Sequence, residues 1–196
     1  MENQILEVDS ISPRRRRLDG LFLGIIENLI GFVVSHWLAL ANLAAFMYIF
    51  LSGLAPFLMS IGLSGPARAL YLFYKFLCHD IPSRHYFLFG NRMTLDHRSL
   101  AMYVAVLGMG LIFAFVRGRL RPLDWRFLVL LSVPMAIDGF TQLFGLRESN
   151  WILRTITGGL FGIGIAWFAF PYIELGMRDA REEIKRGREG RVAAPH

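Results

Sequence analysis

Asp138, Thr141, Gln142 and Gly145 recur at helical spacing inside a long apolar stretch, so they share one face of one helix. Arg147, Asn150 and Arg154 follow closely, and Arg98 stands at the head of an earlier apolar stretch. A carboxylate set into hydrocarbon costs roughly 2.5–3.5 kcal/mol on insertion scales, so Asp138 needs a partner, and Arg154 or Arg98 could supply it. One reading of the set is structural: an ion pair that lowers the desolvation cost and fixes helix register. The other is functional: an outward-facing intramembrane pocket in which Asp138, Thr141, Gln142, Arg147, Asn150, Arg154 and Arg98 hold an anionic or lipid head group. These residue types name no reaction by themselves.

A second cluster lies upstream: Cys78, His79, Asp96 and His97, with Asp80 between. His and Asp together suit a hard or borderline metal. Cys78 and His79 are adjacent, however, as are Asp96 and His97, so only two or three could converge on one ion. Capping of helix ends by His79, Asp80 and Asp96 accounts for the same residues without a metal. A Ser/His/Asp hydrolase could be assembled from Ser99, His79 or His97, and Asp96, but no nucleophile elbow accompanies them. No cofactor-binding motif is present, and the residues point to no particular cofactor.

The elements that must position these groups are apolar helices. Residues 38–63, 100–116, 127–146 and 151–172 read as four membrane spans, each with few or no charges inside. Ahead of them, Leu21, Phe22, Ile25, Leu29, Phe32 and Val33 make one helical face, with Gly24, Glu27, Asn28, Gly31 and Ser35 opposite. This predicts an amphipathic helix over 18–36 lying in the membrane surface. Residues 67–77 form a short aromatic helix, ended by Pro82, and the loop then continues to Arg98. Gly158-x-x-x-Gly162 is a small-residue stripe suited to close helix packing.

Composition agrees with that division. The chain has 196 residues, 55% of them hydrophobic, and a mean hydropathy of +0.45, far more apolar than a soluble domain. The net charge of +6 comes with no nucleic-acid motif, which excludes that class of partner. Membrane lipids are the expected partners, with a second membrane protein as the other candidate. The single cysteine, Cys78, excludes an intrachain disulfide. Arg14 to Arg17, the basic loop from Arg117 to Arg126 and the charged tail fall on one side of a four-span bundle. The positive-inside rule puts that side, and both termini, in the cytoplasm of a prokaryotic plasma membrane.

The run Cys78-His79-x-x-Pro82-x-Arg84, then Phe87-x-Phe89-Gly90 and Arg98, resembles a family of bacterial and archaeal membrane proteins, the domain-of-unknown-function family numbered 2085. The resemblance continues through Pro134-x-x-x-Asp138-Gly139-x-Thr141-Gln142, Gly145-x-Arg147-x-Ser149-Asn150, Arg154 and Thr157-Gly158, and covers about residues 66–165. The family pattern places a Cys-x-x-Cys pair with an internal arginine at the start of the second span. Here those positions are Asp96 and Ser99, with Arg98 retained. What the resemblance implies for this chain therefore stops at a polytopic membrane protein and includes no redox dithiol.

The expected fold is an all-α membrane protein of four transmembrane helices, with an N-terminal interfacial helix and a partly helical outer loop. Residues 1–20 form a mobile basic N-terminus, 21–173 one membrane domain and 174–196 a charged cytoplasmic tail. Three functions fit: handling of a lipid or isoprenoid head group, by binding or by an enzymatic step; an accessory or assembly subunit of a membrane complex; and a small proton-linked carrier with Asp138 titrating.

Overall fold

The structure is a computed structural model that describes residues 13–77 and 84–193. The described residues form five helices, α1 Pro13–Ser60, α2 Ser64–Leu77, α3 His97–Val116, α4 Trp125–Leu143 and α5 Trp151–Ala193, and two strands, β1 His85–Leu88 and β2 Asn91–Asp96. Four of the helices, all but α2, are long and apolar enough to cross a membrane. The chain is an all-α membrane protein apart from that one short hairpin. Two compact units can be distinguished: Leu38–Glu174, and the N-terminal segment through Trp37 together with the C-terminal segment from Leu175.

In the larger unit the apolar surface is inverted relative to a soluble protein. Phe46, Phe50, Leu111, Phe115, Phe127, Leu130 and Ile137 are exposed, as expected of side chains whose solvent is hydrocarbon. Contact between helices instead runs through small residues. A Cβ on Gly158 would strike the backbone carbonyl of Arg98, and one on Gly162 would meet the Met102 carbonyl at 2.5 Å and Ala105 at 2.9 Å. The Gly158-x-x-x-Gly162 stripe is thus where α3 and α5 cross. Gly164 does the same for α4, facing Leu131 at 3.1 Å.

The helix ends have local causes. Asp96 caps α3 by accepting from the Ser99 amide at 3.1 Å, and Asp124 caps α4 through the Arg126 amide at 2.8 Å. Residues 144–146, expected to continue the third span, instead close it. Gly145 sits at φ +67°, its amide donates to the Gln142 carbonyl at 3.1 Å, and Leu146 donates to Thr141 at 2.9 Å. This paired pattern around a left-handed glycine is a Schellman stop.

The short helix expected at 67–77 is α2, whereas the stretch expected to run on as loop to Arg98 holds a hairpin. Residues 85–96 form an antiparallel hairpin in which Leu88 pairs with Asn91, and Phe89 and Gly90 both have positive φ. Two left-handed residues in a two-residue loop give the turn whose twist matches the strands. The hairpin is held from below: the Leu95 amide donates to Ser52 Oγ at 3.1 Å, and Tyr71 donates to the Arg92 carbonyl at 2.5 Å.

In the smaller unit, α1 begins with Pro13, a residue whose fixed φ suits a first helical turn. It departs from helical geometry at His36, with φ −113° and ψ 15°. The sequence divides the amphipathic segment from the first span at this point, although no glycine or proline stands there. Its partner is the charged end of α5. Arg181 donates to the Val34 carbonyl at 2.9 and 3.2 Å and to the Ser35 carbonyl at 3.2 Å, and Arg188 donates to Asn28 Oδ1 at 2.9 Å. Carbonyls beside a break in the helical ladder need another donor, and Arg181 supplies it.

Candidate functional site

Asp138 lies on α4, five residues before its last residue Leu143, which is about 7.5 Å along the axis. Its carboxylate is 2% exposed. Oδ2 accepts from Arg98 Nη2 in a short contact and from Gln142 Nε2 at 3.1 Å. Oδ1 lies 3.4 Å from Arg147 Nη2. Of the two arginines the sequence allowed as partners, Arg98 makes the direct ion pair.

The elements explain that choice. Arg98 is the second residue of α3, and the Gly158 contact brings the Arg98 backbone against α5. From there its side chain reaches α4, with Gly139 3.9 Å from Nη1. Arg154, one turn into α5, is 6% exposed and donates to Gln142 Oε1 at 2.8 Å. Gln142 therefore bridges the two helices, giving its amide to Asp138 and its carbonyl to Arg154.

Arg154 is the least balanced member of the cluster. Its one side-chain hydrogen bond among the described residues is to a neutral amide, and its Nε is buried without a partner among them. It lies within electrostatic range of Arg84 and Arg98 as well as of Asp138 and Asp96. The Nε of Arg98 is likewise buried without a hydrogen bond among the described residues. A guanidinium offers five N–H groups in a fork that matches carboxylate and phosphate oxygens. The cluster thus holds more cationic donors than its carboxylate uses.

Thr141 and Asn150 are less involved. Thr141 donates to the Asp138 carbonyl at 3.1 Å, and Asn150 caps α5 by accepting from the Leu153 amide at 2.8 Å. In the second cluster, Cys78 and His79 lie outside the described residues. Asp96 is committed to the α3 cap, and His97 is buried with its ring 4.2 Å from that of Tyr86. The Tyr86 hydroxyl is 2.7 Å from Thr155 Oγ1, which seats the hairpin on the start of α5. Among the described residues no three His, Cys, Asp or Glu side chains gather to hold a metal.

One ionic contact was not legible. Glu174, grouped by sequence with the tail, is 5% exposed and accepts from Arg117 Nε at 2.9 Å. Arg117 caps the far end of α3, so that helix is tied by an ion pair at each end. A glutamate following an apolar span and preceding a charged segment carries no local sign of burial.

A family described as predicted membrane protein (DUF2085) matches residues 78–168. An uncharacterised protein of Methanocaldococcus jannaschii is 35% identical over 138 residues, covering 66% of this chain and 88% of that protein. An uncharacterised protein of Methanothermobacter thermautotrophicus is 33% identical over 93 residues, covering 47% of this chain and 84% of that protein. No solved structure matches the chain.

Proposed function

The chain belongs to the DUF2085 family of predicted membrane proteins, and on that premise we propose that the Asp138 cluster binds the phosphate-bearing head group of a lipid or isoprenoid. The observation that carries this reading is Arg154: a buried guanidinium bonded to a neutral amide beside two further arginines. A buried charge that the described residues leave unmatched is costly, and an oxyanion with several acceptor oxygens offsets that cost through charge-assisted hydrogen bonds. Asp138 positions Arg98 and Arg147, and Gln142 sets the angle of Arg154. Arg147, 57% exposed at its side chain and held to Asp138 by the longer 3.4 Å contact, is the arm that closes on a ligand.

The test is native mass spectrometry of the protein purified in mild detergent. Wild type is expected to retain a phospholipid or isoprenoid phosphate. Arg154→Gln, which keeps a donor for Gln142, should weaken retention by about tenfold to a hundredfold, the equivalent of one charge-assisted hydrogen bond at roughly 1.5–3 kcal/mol. Equal retention by the variant would leave the cluster as an ion-paired lock, the arrangement suited to an accessory subunit.

The reading also requires the cluster to open on the outer face, with both termini in the cytoplasm of a prokaryotic plasma membrane. Cysteines at Arg119 or Arg186, in a Cys78→Ser background, are expected to stay unlabelled by an impermeant thiol reagent in intact cells. Arg119 is chosen over Gly118, whose φ of +85° would strain any side chain. Labelling of either from outside reverses the orientation.

A further inference from the structure

The smaller unit contains a cleft of about 530 Å³ between the N-terminal part of α1 and the last turns of α5. Arg181, Lys185 and Arg188 line one wall, and Asn28, Phe32 and His36 stand on the other. The three cations are spaced four and three residues apart, so they share one helix face. Among the described residues no carboxylate lines the cleft. Lys185 has, among the described residues, a single ionic contact, a long surface one to Glu189 at 3.9 Å, an exposed pair of little strength. Arg181 is held, among the described residues, by backbone carbonyls and Arg188 by a neutral amide oxygen, so neither is neutralised by those contacts.

The helix that forms the other wall carries a bare apolar face. Leu21, Phe22, Ile25 and Leu29 are each more than 60% exposed and follow one another at helical spacing on the same segment. His36 is fixed at the cleft by its Nδ1, 3.0 Å from the Phe32 carbonyl, and by stacking on the Phe32 ring at 4.6 Å. An exposed apolar stripe beside a cleft of cations that the described residues leave uncompensated fits one molecule at both ends: an anionic phospholipid with its chains along the stripe and its phosphate in the cleft. We propose that this cleft is a binding site for the head group of an anionic phospholipid, separate from the Asp138 cluster. A free phosphate would satisfy the cations but leave the stripe without a partner.

The full chain is reconstituted into phosphatidylcholine vesicles doped with a photoreactive phosphatidylglycerol, and adducts are mapped by peptide. Labelling is expected in peptides that span residues 28–36 and 181–188. Unlabelled phosphatidylglycerol should compete it away, and inorganic phosphate should not. Lys185→Gln with Arg188→Gln, two changes at exposed positions, should lower that labelling by roughly thirtyfold, about fivefold for each basic residue near a charged membrane surface. Equal labelling by a photoreactive phosphatidylcholine, competition by inorganic phosphate, or undiminished labelling of the double variant would each overturn the assignment. Peptides that carry Arg98 and Arg147 to Arg154 are read separately, so failure here is distinct from failure of the Asp138 site.

Discussion

Arg98→Ala is expected to cost about 3–5 kcal/mol of stability in detergent, because it leaves a buried carboxylate whose main counter-ion is gone. Asp138 is 2% exposed, and the guanidinium that remains, Arg147, is a longer contact at 3.4 Å to the other oxygen. Asp138→Asn should cost much less, since the amide keeps the shape and its oxygen still accepts from Arg98 and Gln142. Combining Arg98→Ala with Asp138→Asn removes the uncompensated charge, so the double variant should be more stable than Arg98→Ala alone. Thermal unfolding followed by tryptophan fluorescence would read this cycle. If Arg98→Ala and Asp138→Asn lose the same amount and their effects add, the pair is not the lock described here.

A second large effect is expected at Gly158, and its sign should reverse one residue further on. The Cβ of Gly158→Ala would fall on the backbone carbonyl of Arg98, and a carbonyl cannot turn aside as a side-chain end can. Overpacking of this kind costs about 1–3 kcal/mol, and here it also pushes Arg98 away from Asp138. Gly159→Ala meets nothing within 4 Å, so alanine's better helix propensity should stabilise it by up to about 1 kcal/mol. In an Arg98→Ala background the Gly158→Ala penalty should shrink, because part of it is the broken ion pair. A destabilised Gly159→Ala, or a neutral Gly158→Ala, would mean that α3 and α5 do not cross at this stripe.

The legible parts of the fold were those with a local physical cause. Long uncharged stretches are helices because the backbone must satisfy itself in lipid, and Asp138 and Gln142 came together because helical spacing is written in the chain. The choice between Arg98 and Arg154 was not written there. It depends on where α3 meets α5, a contact set by Gly158 and the Arg98 backbone some sixty residues apart in sequence. The hairpin was hidden because its turn is Phe89-Gly90, and phenylalanine is not a residue that announces a left-handed turn. The pairing of Arg188 with Asn28 joins residues 160 apart, and no local pattern encodes such a contact. Glu174 illustrates the same limit: its burial is decided by Arg117, on another helix.

The two ion pairs of α3 set a length. From Arg98 to Arg117 the helix rises roughly 28 Å, close to the ~30 Å hydrocarbon depth of a typical bilayer. An unpaired arginine could shift towards water as its surroundings changed, but these two are tied, Arg98 to Asp138 and Arg117 to Glu174. The helix therefore cannot adjust to its membrane by sliding or tilting alone, and hydrophobic mismatch must be absorbed by the bilayer or by the whole bundle. In lipids of short acyl chain the apolar residues just inside each pair meet water, while in long-chain lipids the pairs themselves are drawn into hydrocarbon. The Arg98–Asp138 geometry is therefore expected to respond to bilayer thickness, which reconstitution into lipids of graded chain length would read.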